Sequence, residues 1–134
     1  MHSFKIPFKL PSLNDYINAC RRNKYAGASF KKKTEEPIVW ILNTKRFVID
    51  KPVRVTFVWH EPNKRRDKDN VAFAKKFILD ALQKAGKLKN DNNQYIAGFN
   101  DDFVYGDEGV EVLINETNTN GRTNNRSSKE SKER

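Results

Sequence analysis

Two aspartates, Asp67 and Asp69, stand two positions apart inside the basic run Lys64-Arg65-Arg66-Asp67-Lys68-Asp69-Asn70. A third acid, Asp91, follows in Leu88-Lys89-Asn90-Asp91-Asn92. Carboxylate oxygens suit a hard cation such as Mg2+, with Mn2+ as an alternative, and the surrounding lysines and arginines suit phosphate. Together they are what metal-assisted cleavage of a nucleic-acid backbone requires. Asp67 and Asp69 carry two readings. One of them can cap the next helix, which is worth about 1 kcal/mol. If the segment is extended, however, residues i and i+2 point the same way and both carboxylates reach one ion. Asp91 sits in an Asn-rich turn, where acids are commonly just solvated.

The elements around these residues decide whether they meet. Phe4, Ile6, Phe8 and Leu10 alternate with Lys5, Pro7 and Lys9, the period of a half-buried strand, and Pro7 suggests an edge. Ser12-Leu13-Asn14-Asp15 reads as a capping box opening a helix, with Leu13, Tyr16, Ile17 and Cys20 on one face. That spacing makes Cys20 a buried structural thiol. Residues 24–33, with Gly27, Ser29 and Lys31-Lys32-Lys33, read as a mobile basic loop. Thr34-Glu35-Glu36-Pro37 then opens a second helix, with Pro37 in its first turn.

Val53, Val55, Phe57 and Trp59 alternate along another strand. Val71, Ala74, Ile78, Ala81, Leu82 and Ala85 form one stripe of a helix over 69–85, stopped at Gly86. A helix of about 16 residues spans roughly 24 Å, so Asp91 at its far end reaches Asp67 only if a later element carries it back. Lys76 and Asp80 lie i, i+4 on the polar face. They form a surface ion pair there, or Lys76 turns to the carboxylates and offsets charge on a phosphate. Lys75 is nearer the apolar margin. Tyr95 to Tyr105 and Val110 to Ile114 read as a β-hairpin turned by Gly106-Asp107-Glu108-Gly109. Asp101, between Phe99 and Phe103, is either an extra acid of the site or part of a bulge at 100–102. The order β-α-α-β-α-β-β predicts an α/β or α+β domain over 1–115, with a mixed sheet and about three helices. Residues 116–134, without an apolar side chain, read as a disordered polar and basic tail.

Composition narrows the partner. A net charge of +9 over 134 residues favours an anionic one, nucleic acid first. No apolar run approaches the roughly 20 residues of a membrane span, and Met1 to Pro7 lacks the apolar core of a signal peptide. The single cysteine fits a reducing cytoplasm. One cysteine and two distant histidines, His2 and His60, make zinc a poor choice.

Taken in order, these residues resemble the RusA-like Holliday junction resolvases, crossover junction endodeoxyribonucleases common in bacteria and prophages. The resemblance covers roughly residues 4–115. It rests on Leu10-Pro11-Ser12-Leu13-Asn14-Asp15-Tyr16, on Arg66-Asp67-Lys68-Asp69-Asn70, on Lys76-Phe77-Ile78-Leu79-Asp80-Ala81-Leu82, and on Ala85-Gly86 with Asp91. It implies a magnesium site made by Asp67, Asp69 and Asp91, with Lys76 as the lysine needed for cleavage. It also implies a homodimer on a four-way DNA junction, each subunit nicking one strand. Two departures stand out: Asn90 replaces the first of the paired acids usual after the helix, and the stretch from Asn70 to Leu82 is about three residues longer than in shorter members.

Under this reading Lys31, Lys32, Lys33, Lys64, Arg65 and Arg66 grip flanking phosphates and set orientation rather than sequence choice. Tyr25 and Phe30 are candidates to stack on opened bases. The rival reading is a basic junction-binding protein without catalysis, to which Asn90 gives weight. A protein that meets an acidic partner through its charge alone leaves the Asp67/Asp69 spacing unexplained.

Overall fold

The computed structural model describes residues 1–117. Its elements are β1 (His2–Ile6), α1 (Leu13–Arg22), α2 (Ala26–Asn43), β2 (Val53–Glu61), α3 (Lys68–Ala72), α4 (Lys75–Lys84), β3 (Ile96–Tyr105) and β4 (Gly109–Glu116). The four strands form one mixed sheet in the order β1-β4-β2-β3, so the chain has an α+β fold. Val53, Val55, Phe57 and Trp59 alternate inward along β2, and Val110, Val112 and Ile114 do so along β4. Ile38, Leu42, Phe77, Ile78 and Leu82 from α2 and α4 complete the core. Among the described residues no helix is long and apolar enough to cross a membrane.

Several local expectations hold. β1 is an edge strand, and it ends at Ile6, before Pro7. Ser12 caps α1 reciprocally: its hydroxyl accepts from the Asp15 amide at 3.3 Å, and its own amide donates to Asp15 Oδ2 at 2.9 Å.

Others do not hold, each for a physical reason. Residues 26–33 are helical, not a loop, and Pro37 lies inside α2. Gly27 falls in the first turn, where it costs little, and the Phe30, Thr34, Ile38 and Leu42 spacing continues the helix past the proline. Cys20 is exposed, because Ala19 is the buried residue of α1 and the thiol lies at its margin beside Gly27.

The helix over 69–85 is broken. Ala74, Lys76 and Phe77 donate to carbonyls three residues back, at 3.0–3.1 Å, a tightened turn that separates α3 from α4 and shifts the phase of α4 against α3.

Finally, β3 and β4 are not a hairpin. β2 lies between them, parallel to β3 and antiparallel to β4. The chain crosses the end of β2, where the Gly106 amide donates to the Glu61 carbonyl at 2.8 Å. Gly109 then enters β4 with φ 121°, so close to β1 that a Cβ would clash with the Ile6 carbonyl oxygen. The polar Asn100, Asp101 and Asp102 of β3 are tolerated at an edge, and the apolar β4 takes the interior. The register with β2 is regular from Arg54 to Glu61, so there is no bulge at 100–102.

The end of β4 also moves the start of the expected tail. Glu116 is in the strand, and the Thr117 amide donates to the Pro52 carbonyl at 2.9 Å. The rest of the expected tail, residues 118–134, lies outside the described residues.

Candidate nucleic-acid interface

The Asp67/Asp69 segment leaves the end of β2 and enters α3. Asp67 has the extended backbone of an N-cap, φ −68° and ψ 147°, yet its carboxylate makes no capping hydrogen bond. Asp69 lies in the first turn, with Oδ1 accepting from the Asn70 amide at 2.9 Å. Both side chains are exposed. The extended i, i+2 geometry expected from sequence is therefore absent, because the helix begins between the two acids and places Asp69 in its first turn. Capping does not employ the Asp67 carboxylate, and Asp69 engages only Oδ1, so each acid keeps an oxygen available.

Arg66, read from sequence as a phosphate contact, turns inward. Its Nε and Nη2 donate to the two carboxylate oxygens of Glu61 at 2.8 and 2.6 Å, and its Nη1 donates to the Leu10 carbonyl at 3.0 Å. Glu61 is a buried acid at the last inward position of β2. It needs this partner, and the pair clamps the segment that carries Asp67 onto the chain before α1. Arg65 and Lys64 are exposed, and the Lys64 ammonium sits 5.2 Å from the centre of the Tyr105 ring.

Beside Asp69 lies a depression of about 670 Å³ lined by Lys68, Asp69, Phe73, Lys75, Lys76 and Asp101, among others. It forms because the sheet face of β3 is only partly covered, leaving Phe99 38% exposed. Phe57 pairs with Asp101 and Trp59 with Phe103 across the parallel ladder. Asp101 accepts from the buried Trp59 indole at 2.8 Å and from Lys75 Nζ at 2.7 Å. The Lys75 ammonium also lies 4.9 Å from the centre of the Phe99 ring. Lys75, discounted from sequence, thus faces the depression, since the tight turn before α4 shifts its phase. The signal for Asp101 was its place between two phenylalanines; its link to Trp59 depends on a strand pairing that the sequence does not display.

Lys76 is exposed on the same depression and has no ion pair among the described residues. The expected Lys76–Asp80 pair is not formed. Asp80 faces α2, where Lys31 Nζ approaches it at 2.8 Å. Lys31 also lies 3.0 Å from Glu35, a fully buried acid that accepts from Lys84 Nζ at 2.5 Å. The Asp80 hydrogen bond, with Glu35 adding to it, outweighs burial and raises the Lys31 pKa above the usual lysine range. Lys31 thus ties α2 to α4. Helical geometry sends the three consecutive lysines in different directions. Lys33 joins Lys9 and Arg66 around a second depression, and Lys32 lines a third beside the exposed Trp40.

Asp91 is not brought to the other acids within the chain. It lies between Leu88, bridged to Ile49, and Tyr95, whose carbonyl accepts from the Val53 amide at 2.9 Å. This is the start of β2, whereas Asp67 comes after its end. Nine strand residues separate the two levels, or about 26 Å at the usual rise. Among the described residues no three His, Cys, Asp or Glu side chains are grouped to hold a metal ion. Asp67 and Asp69 fit a hard cation as an incomplete set of two oxygen donors. No family model matches this chain, and no curated protein matches it.

Proposed function

We propose that this chain is a Mg2+-dependent endodeoxyribonuclease that resolves four-way DNA junctions by paired nicks, as a homodimer of RusA-like type in DNA recombination and repair. The observation that carries the reading is the pair of exposed carboxylates at the entrance to α3, that of Asp67 making no capping hydrogen bond, beside a depression rimmed by Lys68, Lys75 and Lys76. The resemblance in Arg66 to Asn70, Lys76 to Leu82 and Asp91 supplies the substrate class and the third acid. A two-fold partner reconciles that acid with the fold. Asp91 and Asp67 lie at opposite ends of β2, so the three acids share an ion only if Asp91 comes from the second copy.

Asp67, Asp69 and the partner's Asp91 would hold Mg2+, or Mn2+, which supplies a bound water of lowered pKa and charge neutralisation at phosphate. Lys76 places a fixed positive charge where the phosphate gains negative charge. Asp101 orients Lys75 at the wall of the depression. Arg66 and Glu61 hold the Asp67 segment in place, and Lys64, Arg65 and Lys68 meet the flanking backbone.

The second reading, a junction-binding protein without catalysis, is favoured by Asn90 and by the separation of Asp91 from the other acids. A Mg2+ titration of a labelled four-way junction distinguishes them. The nuclease gives paired nicks that vanish in Asp69→Asn while binding persists. A shifted band without product from the wild type establishes the binder.

A further inference from the structure

We propose that Lys9 and Lys33 form a phosphate-binding subsite on the side of Asp67 opposite Lys75 and Lys76, holding the backbone of one DNA strand on its way to the acids. This rests on the junction-nuclease reading and names the path of the substrate through it.

Lys9, in the connection after β1, and Lys33, on α2, converge on a depression of about 470 Å³ walled by Pro11, Phe30 and Arg66. Of its other charges, only Arg66 is neutralised by a partner, and the two lysines outnumber the single carboxylate of Asp15. Asp15, also on its lining, receives the Ser12 amide at the start of α1. Arg66 is matched by Glu61 through two hydrogen bonds. The ion pairs of the described residues involve Lys31, His60, Arg66, Lys75 and Lys84, and neither Lys9 nor Lys33. Two exposed ammonium groups therefore stand over a partly apolar floor, where an anion is screened less than in open water.

The subsite is placed by consecutive residues. Arg66 lines this depression, and Lys68 and Asp69 line the one that holds Lys75 and Lys76. Asp67 joins these residues in the chain and is itself exposed. A strand whose phosphates occupy both depressions passes over Asp67, with cations on each side and the acids at the crossing. Three adjacent lysines in a flexible loop would give diffuse attraction; Lys33 fixed on a helix opposite Lys9 gives a direction.

The test is binding of a labelled four-way DNA junction to the full chain without divalent ions, measured across a salt series. Lys9→Ala/Lys33→Ala should lower the slope of log K against log salt by about 1.8, close to 0.9 for each lost phosphate contact on duplex DNA. Lys5→Ala, an exposed lysine on the outward face of edge strand β1, should leave the slope unchanged. A slope unaltered in the Lys9/Lys33 variant, or lowered equally in the control, overturns the subsite. Nicking is scored separately with Mg2+. A junction that is nicked with an unaltered slope refutes the subsite alone, whereas the expected slope without nicks refutes the nuclease alone. A wild type that binds no junction overturns both.

Discussion

Arg66→Ala should damage the fold before it damages DNA contact. The arginine makes three hydrogen bonds, two of them charge-assisted and to Glu61, whose side chain is 6% exposed against 19% for Arg66. Breaking a buried pair from one side costs about 3–5 kcal/mol, because the other charge is left without a partner. Water reaching the orphaned Glu61 through the partly exposed Arg66 position argues for the lower end, about 3 kcal/mol. For a domain of this size that corresponds to a fall in Tm of roughly 10 °C or more. Urea unfolding of Arg66→Ala, Glu61→Gln and the double variant measures it. The double variant should lose less than the sum of the singles by about 2 kcal/mol, since the neutral amide no longer suffers from the missing cation. Under conditions where Arg66→Ala remains folded, its salt slope for DNA binding should match the wild type. Additive effects, or a slope reduced by about 0.9 with little loss of stability, would show that Arg66 is a phosphate contact and refute the clamp.

Lys31→Ala should destabilise by about 2–3 kcal/mol, because it removes one of two cations from buried Glu35 and the partner of Asp80. The raised pKa of Lys31 means that its stabilisation is complete below the unfolded lysine pKa, about 10.4, and is lost as pH rises through the higher folded value. The stability gap between wild type and Lys31→Ala, followed by urea midpoints, should accordingly narrow in strongly alkaline buffer; a gap that widens there contradicts the assignment. Lys76→Ala should lower Mg2+-dependent nicking about a hundredfold with junction affinity nearly kept, as expected for a cation acting at the transition state. Single-turnover assays decide it, and an unchanged rate would remove Lys76 from the site.

Much of the fold was legible because it is local. The alternation of Val53 to Trp59 and the Ser12/Asp15 capping box need only near neighbours to be satisfied, and both form as read. Gly27 and Ser29 looked like loop residues, but the α2 face that packs on α4 overrides their weak preference. The turn at 106–109 looked like a hairpin because its sequence carries the turn chemistry and not the position of β2, which slots between the two strands. Asp67 and Asp69 were found by type and spacing. The roles of Arg66, Lys75 and Lys31 were not visible, since each depends on a partner brought from another element: Glu61, Asp101 and Asp80. Asp91 was correctly placed beyond the helix, and β3 does not return it; the acid that β3 brings to the depression is Asp101.

Mixed-subunit complementation tests the central claim most directly. Asp69→Asn and Asp91→Asn are each prepared alone, then mixed under conditions that exchange subunits, and nicking of a four-way junction is measured with Mg2+. If one copy supplies Asp67 and Asp69 and its partner supplies Asp91, each variant is inactive alone. Random pairing makes half the dimers mixed, each with one intact site of two, so nicking should recover to about a quarter of the wild-type level. A mixture that stays inactive while the wild type nicks would contradict a site shared between subunits.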